Sequence, residues 1–151
     1  MAEFQAAIAD ACQLWIISTP TSPCPLTAPY MESISSFALK DKKGLFLWAD
    51  NDPYTIEANA VLKVLPPLAA YTISGNYMGT KILTEAAAPG GVGYCKHLIT
   101  TGIEKIYEGI TISSLKGPST GDIFTPIMRA SDGQIVTGLY DRDGCRVMVD
   151  S

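Results

Sequence analysis

Apolar positions in the first half of the chain switch between helical and strand periods. Phe4, Ala7, Ile8 and Ala11 fall three and four residues apart within Ala2–Cys12, which puts them on one face of a short amphipathic helix. Leu14–Thr19, LWIIST, is a continuous apolar run closed by the proline-rich PTSPCPLTAP, so it reads as a buried strand entering a loop. Pro29 suits a first helical turn, and Met31, Ile34, Phe37 and Ala38 keep helical spacing as far as Lys40. DKKG (Asp41–Gly44) stops that helix, and Leu45–Ala49 resumes as a strand apolar on both faces. The turn Asp50-Asn51-Asp52 leads through Pro53 into a helix over Tyr54–Leu65, ended by Pro66-Pro67. Ala70–Ser74 is the next strand, and Gly75-Asn76 opens the loop behind it.

The second half is punctuated differently. Lys81–Thr84 and Gly109–Ser113 read as short strands, Ala86–Gly93 as a loop, and His97–Ile106 as holding a helical turn. Phe124–Arg129, Ile135–Tyr140 and Cys145–Val149 are three strands separated by Ser131–Gly133 and Asp141–Gly144, and Asp-Gly between apolar runs signals a hairpin. Helices alternating with strands imply a parallel sheet with helical crossovers. The expected fold is therefore α/β: one domain over residues 1–151, flavodoxin-like, with a mostly parallel sheet, helices on both faces and an antiparallel C-terminal edge. Such domains begin with a strand, whereas this order begins with a helix and closes on CRVMVD without a covering helix, so truncation at both ends is expected.

Composition narrows the partners. Hydrophobic residues make up 47% and charged residues 17%, which disfavours disorder and points to surface covered by a protein partner, an oligomer or a larger complex. The net charge is −4, the pI is near 4.8 and the eleven basic residues are scattered, so nucleic acid is excluded as a partner. No apolar run approaches the roughly 20 residues of a membrane span. Glu3 and Asp10 stand where a signal peptide would carry basic residues, so the expected location is cytoplasmic. Cys12, Cys24, Cys95 and Cys145 form no CxxC pair, so zinc, a disulfide framework and other cofactors are not expected. The thiols are expected to be reduced and mostly buried.

Ligands of open α/β sheets collect beyond the carboxyl ends of the parallel strands. The loops after Thr19, Ala49 and Ser74 are thus expected to meet along one edge, with Asp50, Asn51, Asp52, Glu57, Asn76 and His97 as candidate ligand-binding residues for a small polar molecule. Two carboxylates at a helix start repel anions, so the turn suits a hydroxylated or cationic ligand or a metal; alternatively Asn51 or Asp52 simply caps the helix. No catalytic residue is assigned. The enzymatic alternative is a hydrolase using Asp50 or Glu57 with His97, the single histidine, which otherwise anchors the LITTGI turn.

GLFLWADNDPY, ISGNYMG and KHLITTGIEKIYEGITIS with the late strand GCRVMVDS resemble the class I glutamine amidotransferase-like superfamily, nearest its trehalose-utilisation-type branch. Classical members carry a nucleophilic cysteine in a Gly-x-Cys-x-Gly elbow at this strand end. Here the elbow reads Trp48-Ala49-Asp50-Asn51-Asp52, without a thiol. The resemblance therefore implies a non-catalytic or diverged domain that has lost glutaminase activity. A structural subunit of a larger assembly is the remaining alternative.

Overall fold

The structure is a computed structural model that describes residues 1–118 and 123–151. Helix α1 (Ala2–Ala9) is followed by β1 (Gln13–Ile17), α2 (Ala28–Leu39), β2 (Gly44–Trp48), α3 (Ile56–Val64) and β3 (Thr72–Met78). Short strands β4 (Ile82–Leu83), β5 (Gly93–Tyr94) and β6 (Ile106–Tyr107) lead to β7 (Thr111–Lys116), β8 (Thr125–Arg129), β9 (Ile135–Arg142) and β10 (Cys145–Asp150). Most of these elements follow the apolar periods, with shifts of a few residues at their ends; the two-residue strands β5 and β6 do not.

Their assembly departs from the expected fold. Six strands form the main sheet in the order β1-β2-β10-β9-β8-β5. Its β1–β2 and β2–β10 ladders are parallel, whereas β10–β9, β9–β8 and β8–β5 are antiparallel. The sheet is therefore mixed and mostly antiparallel, and the flavodoxin-like reading is overturned. Strand β3, which should have extended the parallel array, instead pairs antiparallel with β7 in a separate two-stranded ribbon.

The cause lies in the segment before β3. The Asn59 amide both accepts from Ile73 N–H at 2.7 Å and donates to Ile73 C=O at 2.8 Å. Asp52 does the same to Gly75: its backbone N–H donates to Gly75 C=O at 3.1 Å, and its Oδ2 accepts from Gly75 N–H at 2.8 Å. These contacts occupy the edge of β3 that another strand would need, because backbone donors and acceptors pair once in a ladder. The vacancy beside β2 goes to β10, delivered by a hairpin whose turn residues Asp143 and Gly144 have φ of 53° and 75°. Two successive positive φ values define the I′ turn, which matches the right-handed strand twist. The DRDG signal was thus read correctly as a turn, although its strands lie inside the sheet rather than along its edge.

One face of the sheet is covered. Leu45 and Leu47 of β2 and Val147 and Val149 of β10 point inward against Ile34, Phe37 and Ala38 of α2 and Val61 and Leu62 of α3. Burying each large aliphatic side chain stabilises the fold by about 1.5–3 kcal/mol. The other face lacks the expected helices. There the register sets Trp15, Phe46, Met148 and Leu139 in one row across four strands, and Ile17, Trp48, Asp150 and Thr137 in the next. Trp15 is 54% exposed, Ile17 57% and Trp48 46%. Trp15 meets Phe46 edge-on with centroids 4.9 Å apart, so an aromatic stripe faces outward.

Candidate functional site

The loops at the carboxyl ends of β1 and β2 do converge, and they meet Gly75 and Asn76, which lie inside β3 at its bulge rather than in a loop behind it; most of these polar groups are spent on one another. Ser18 Oγ accepts from Ala58 N–H at 3.1 Å, supplying the cap that Thr55, at the start of α3, does not provide. Glu57 is buried, and both its oxygens are taken: Oε2 accepts from Thr19 N–H at 2.8 Å and Oε1 from the Thr19 hydroxyl at 2.7 Å. Asp52 holds Gly75 and accepts from the Thr55 hydroxyl at 3.3 Å, while Asn51 donates to Asn76 Oδ1 at 2.9 Å. Asp52, Glu57, Asn51 and Asn76 therefore join the strand ends together. Pro53 is not the first helical residue, since α3 starts only at Ile56.

His97 stands apart. Strand β5, which leads to it, lies four ladders away from β2, a displacement of about 19 Å at the usual strand spacing. Its Nδ1 accepts from Ile99 N–H at 3.2 Å, and its backbone N–H donates to the Thr100 hydroxyl at 3.0 Å. This reciprocal box anchors the turn Leu98–Thr100. The structure does not bring His97 to Asp50 or Glu57.

Asp50 opens instead onto a cleft of about 440 Å³ at the carboxyl ends of the parallel pair β2 and β10. Trp48, Asn51, Asp150 and Ser151 line its floor, and the segment Glu108–Ile112 forms its wall. The wall is fixed by Glu108, which accepts from Lys81 N–H at 2.9 Å and Ser131 N–H at 2.5 Å, and by Ser113, whose hydroxyl donates to Asp50 C=O at 2.6 Å. Asp50 Oδ1 accepts from Asn51 N–H at 2.8 Å. Asp150 Oδ1 accepts from the Thr137 hydroxyl at 2.5 Å. Burial pushes the Asp150 carboxyl above the usual range, against the lowering effect of that hydrogen bond. Three carboxylates and no lysine or arginine line the cleft. Glu108, Asp150 and Ser151 were absent from the sequence-derived site.

Among the described residues no group of three or more His, Cys, Asp or Glu side chains is disposed to hold a metal ion. The four cysteines are unpaired. Only Cys145 is buried, Cys12 is exposed and Cys24 and Cys95 lie between, so the expectation of mostly buried thiols fails for three of them. No helix among the described residues is long and apolar enough to cross a membrane. In comparison with known proteins, no family model and no curated protein matches the chain.

Proposed function

We propose that this chain is a ligand-binding domain without glutaminase chemistry, taking a small hydroxylated or cationic molecule in the cleft above β2 and β10. The observation that carries this reading is the presence of both Asp50 and Asp150 in a recess with no basic side chain in its lining. Two carboxylates with oxygens left over after their internal hydrogen bonds favour donors, whether hydroxyls or ammonium groups, and repel anions. The β2 elbow, Trp48-Ala49-Asp50-Asn51-Asp52, carries no thiol, which supports a role without glutamine hydrolysis.

A thermal-shift screen of polyols, sugars and small amines tests the proposal. A ligand present at 100 times its Kd stabilises the folded state by about 2.7 kcal/mol. Asp50→Asn is expected to reduce that gain at unchanged intrinsic stability, because its carboxylate is exposed. Equal gains in wild type and variant, or no ligand in these classes, would overturn the assignment.

The aromatic stripe on the open sheet face favours a second reading, a protein-binding role. An exposed tryptophan in a contiguous apolar row, as Trp15 with Phe46, Met148 and Leu139, marks an interaction surface. A second copy of the chain is the occupant this reading commits to, because the neighbouring edge strand β1, QLWII, carries no charge or proline to oppose strand pairing.

A further inference from the structure

A second recess, sharing no lining residue with the cleft, has the opposite electrostatic character. It measures about 270 Å³ and lies between the end of β7 and the turn of the β8–β9 hairpin, bounded by Tyr71, Lys116, Gly117, Arg129, Gln134 and Ile135. Its charged lining residues, Lys116 and Arg129, are both cationic. The Arg129 guanidinium is fixed in orientation, because Nη1 donates to Gly133 C=O at 3.0 Å across the hairpin turn. Its Nε is buried and has no acceptor among the described residues. The unused Nε and Nη2 form the side-on fork that matches two oxygens of a carboxylate or phosphate group.

No carboxylate among the described residues pairs with this fork. The carboxylate closest in sequence, Asp132, accepts from Gln134 N–H at 2.9 Å and folds back on its own turn. The one ion pair among the described residues, Arg146–Asp141, does not involve Arg129. Lys116, the other cation of the lining, is exposed, and its ammonium rests over the Tyr77 ring at 5.4 Å. Gly117 lets the Tyr71 ring close the back wall, since a Cβ there would overlap that ring. A buried arginine donor without an acceptor is expensive to keep, and a bound oxyanion is what would satisfy it.

We propose that Arg129 and Lys116 form an oxyanion site that binds the carboxylate or phosphate group of a small molecule, with the Arg129 fork making the bidentate contact. The test is titration of the intact chain with inorganic phosphate and, separately, acetate, read by calorimetry and by thermal shift against sodium chloride at matched ionic strength. Saturable binding of either oxyanion is expected, and the stronger of the two identifies the group. Arg129→Lys keeps the charge but loses the fork, and should weaken binding at least tenfold. Lys116→Gln, a change at an exposed position, should weaken it severalfold with the fold intact. Asp50→Asn, in the other cleft, should leave the affinity unchanged. No saturable binding of either oxyanion, or equal affinity in wild type, Arg129→Lys and Lys116→Gln, would overturn the proposal.

Discussion

Glu57 separates a residue that binds ligand from one that builds the site. Both its oxygens are engaged by Thr19, so Glu57→Ala removes two hydrogen bonds to a charged acceptor, each worth about 1.5–3 kcal/mol. Thr19 itself is exposed, so its freed donors regain water and the loss falls toward the lower bound of that range. Removing an acidic group from the first turn of α3 adds roughly 0.5 kcal/mol. The expected cost is about 3–4 kcal/mol, or a fall in Tm on the order of 6–16 °C for a domain of this size. Glu57→Gln can still accept from Thr19 N–H and donate to its hydroxyl, and it should cost only about 1 kcal/mol. Urea unfolding followed by circular dichroism measures both, with an unchanged m-value showing that the denatured state is unaltered. The reasoning is refuted if Glu57→Ala costs less than about 1 kcal/mol, or if it abolishes ligand binding while stability is kept.

The other expectations concern Asp150 and the open sheet face. Burial raises the folded-state value of Asp150 above its unfolded one, so its protonated form favours folding; that contribution is complete below the unfolded value near 3.9 and is lost as pH rises through the folded one. Asp150→Asn still accepts from Thr137 and should be more stable than wild type at neutral pH, with the advantage vanishing in acid; parallel Tm profiles from pH 3 to 8 would contradict this. If a second copy covers the aromatic stripe, sedimentation velocity should show concentration-dependent dimers that Trp15→Lys abolishes, and a monomer at all concentrations would remove that reading.

The elements were legible because their cause is local. Met31, Ile34, Phe37 and Ala38 recur at helical spacing, and Asp143-Gly144 is a turn that only a few dipeptides make well. The neighbours of each strand were not legible, because CRVMVD alternates equally well beside β2 or at a sheet edge. What excluded β3 from the main sheet was the Asn59 amide on Ile73 and Asp52 on Gly75, side-chain contacts that the pattern of apolar residues does not encode. The site shared this fate. Asp50 and Asn51 could be placed at a strand end from the sequence, whereas Asp150 reaches the same cleft only through the β2–β10 pairing. Its one sequence signal was its phase: it follows Arg146 and Met148 on the outward side of β10.

The insertion of β10 between β2 and β9 has a consequence during synthesis. Gly44 pairs with Arg146, roughly a hundred residues later in the chain. At ribosomal rates of about 5–20 residues per second, β2 waits about 5–20 s for its partner. Through that interval the uncharged strand GLFLW keeps one backbone edge open. Closing so distant a ladder is also intrinsically slow. The nascent N-terminal half is therefore the stage at which a chaperone that holds exposed strands would matter most, and at which crowded expression would first produce aggregates.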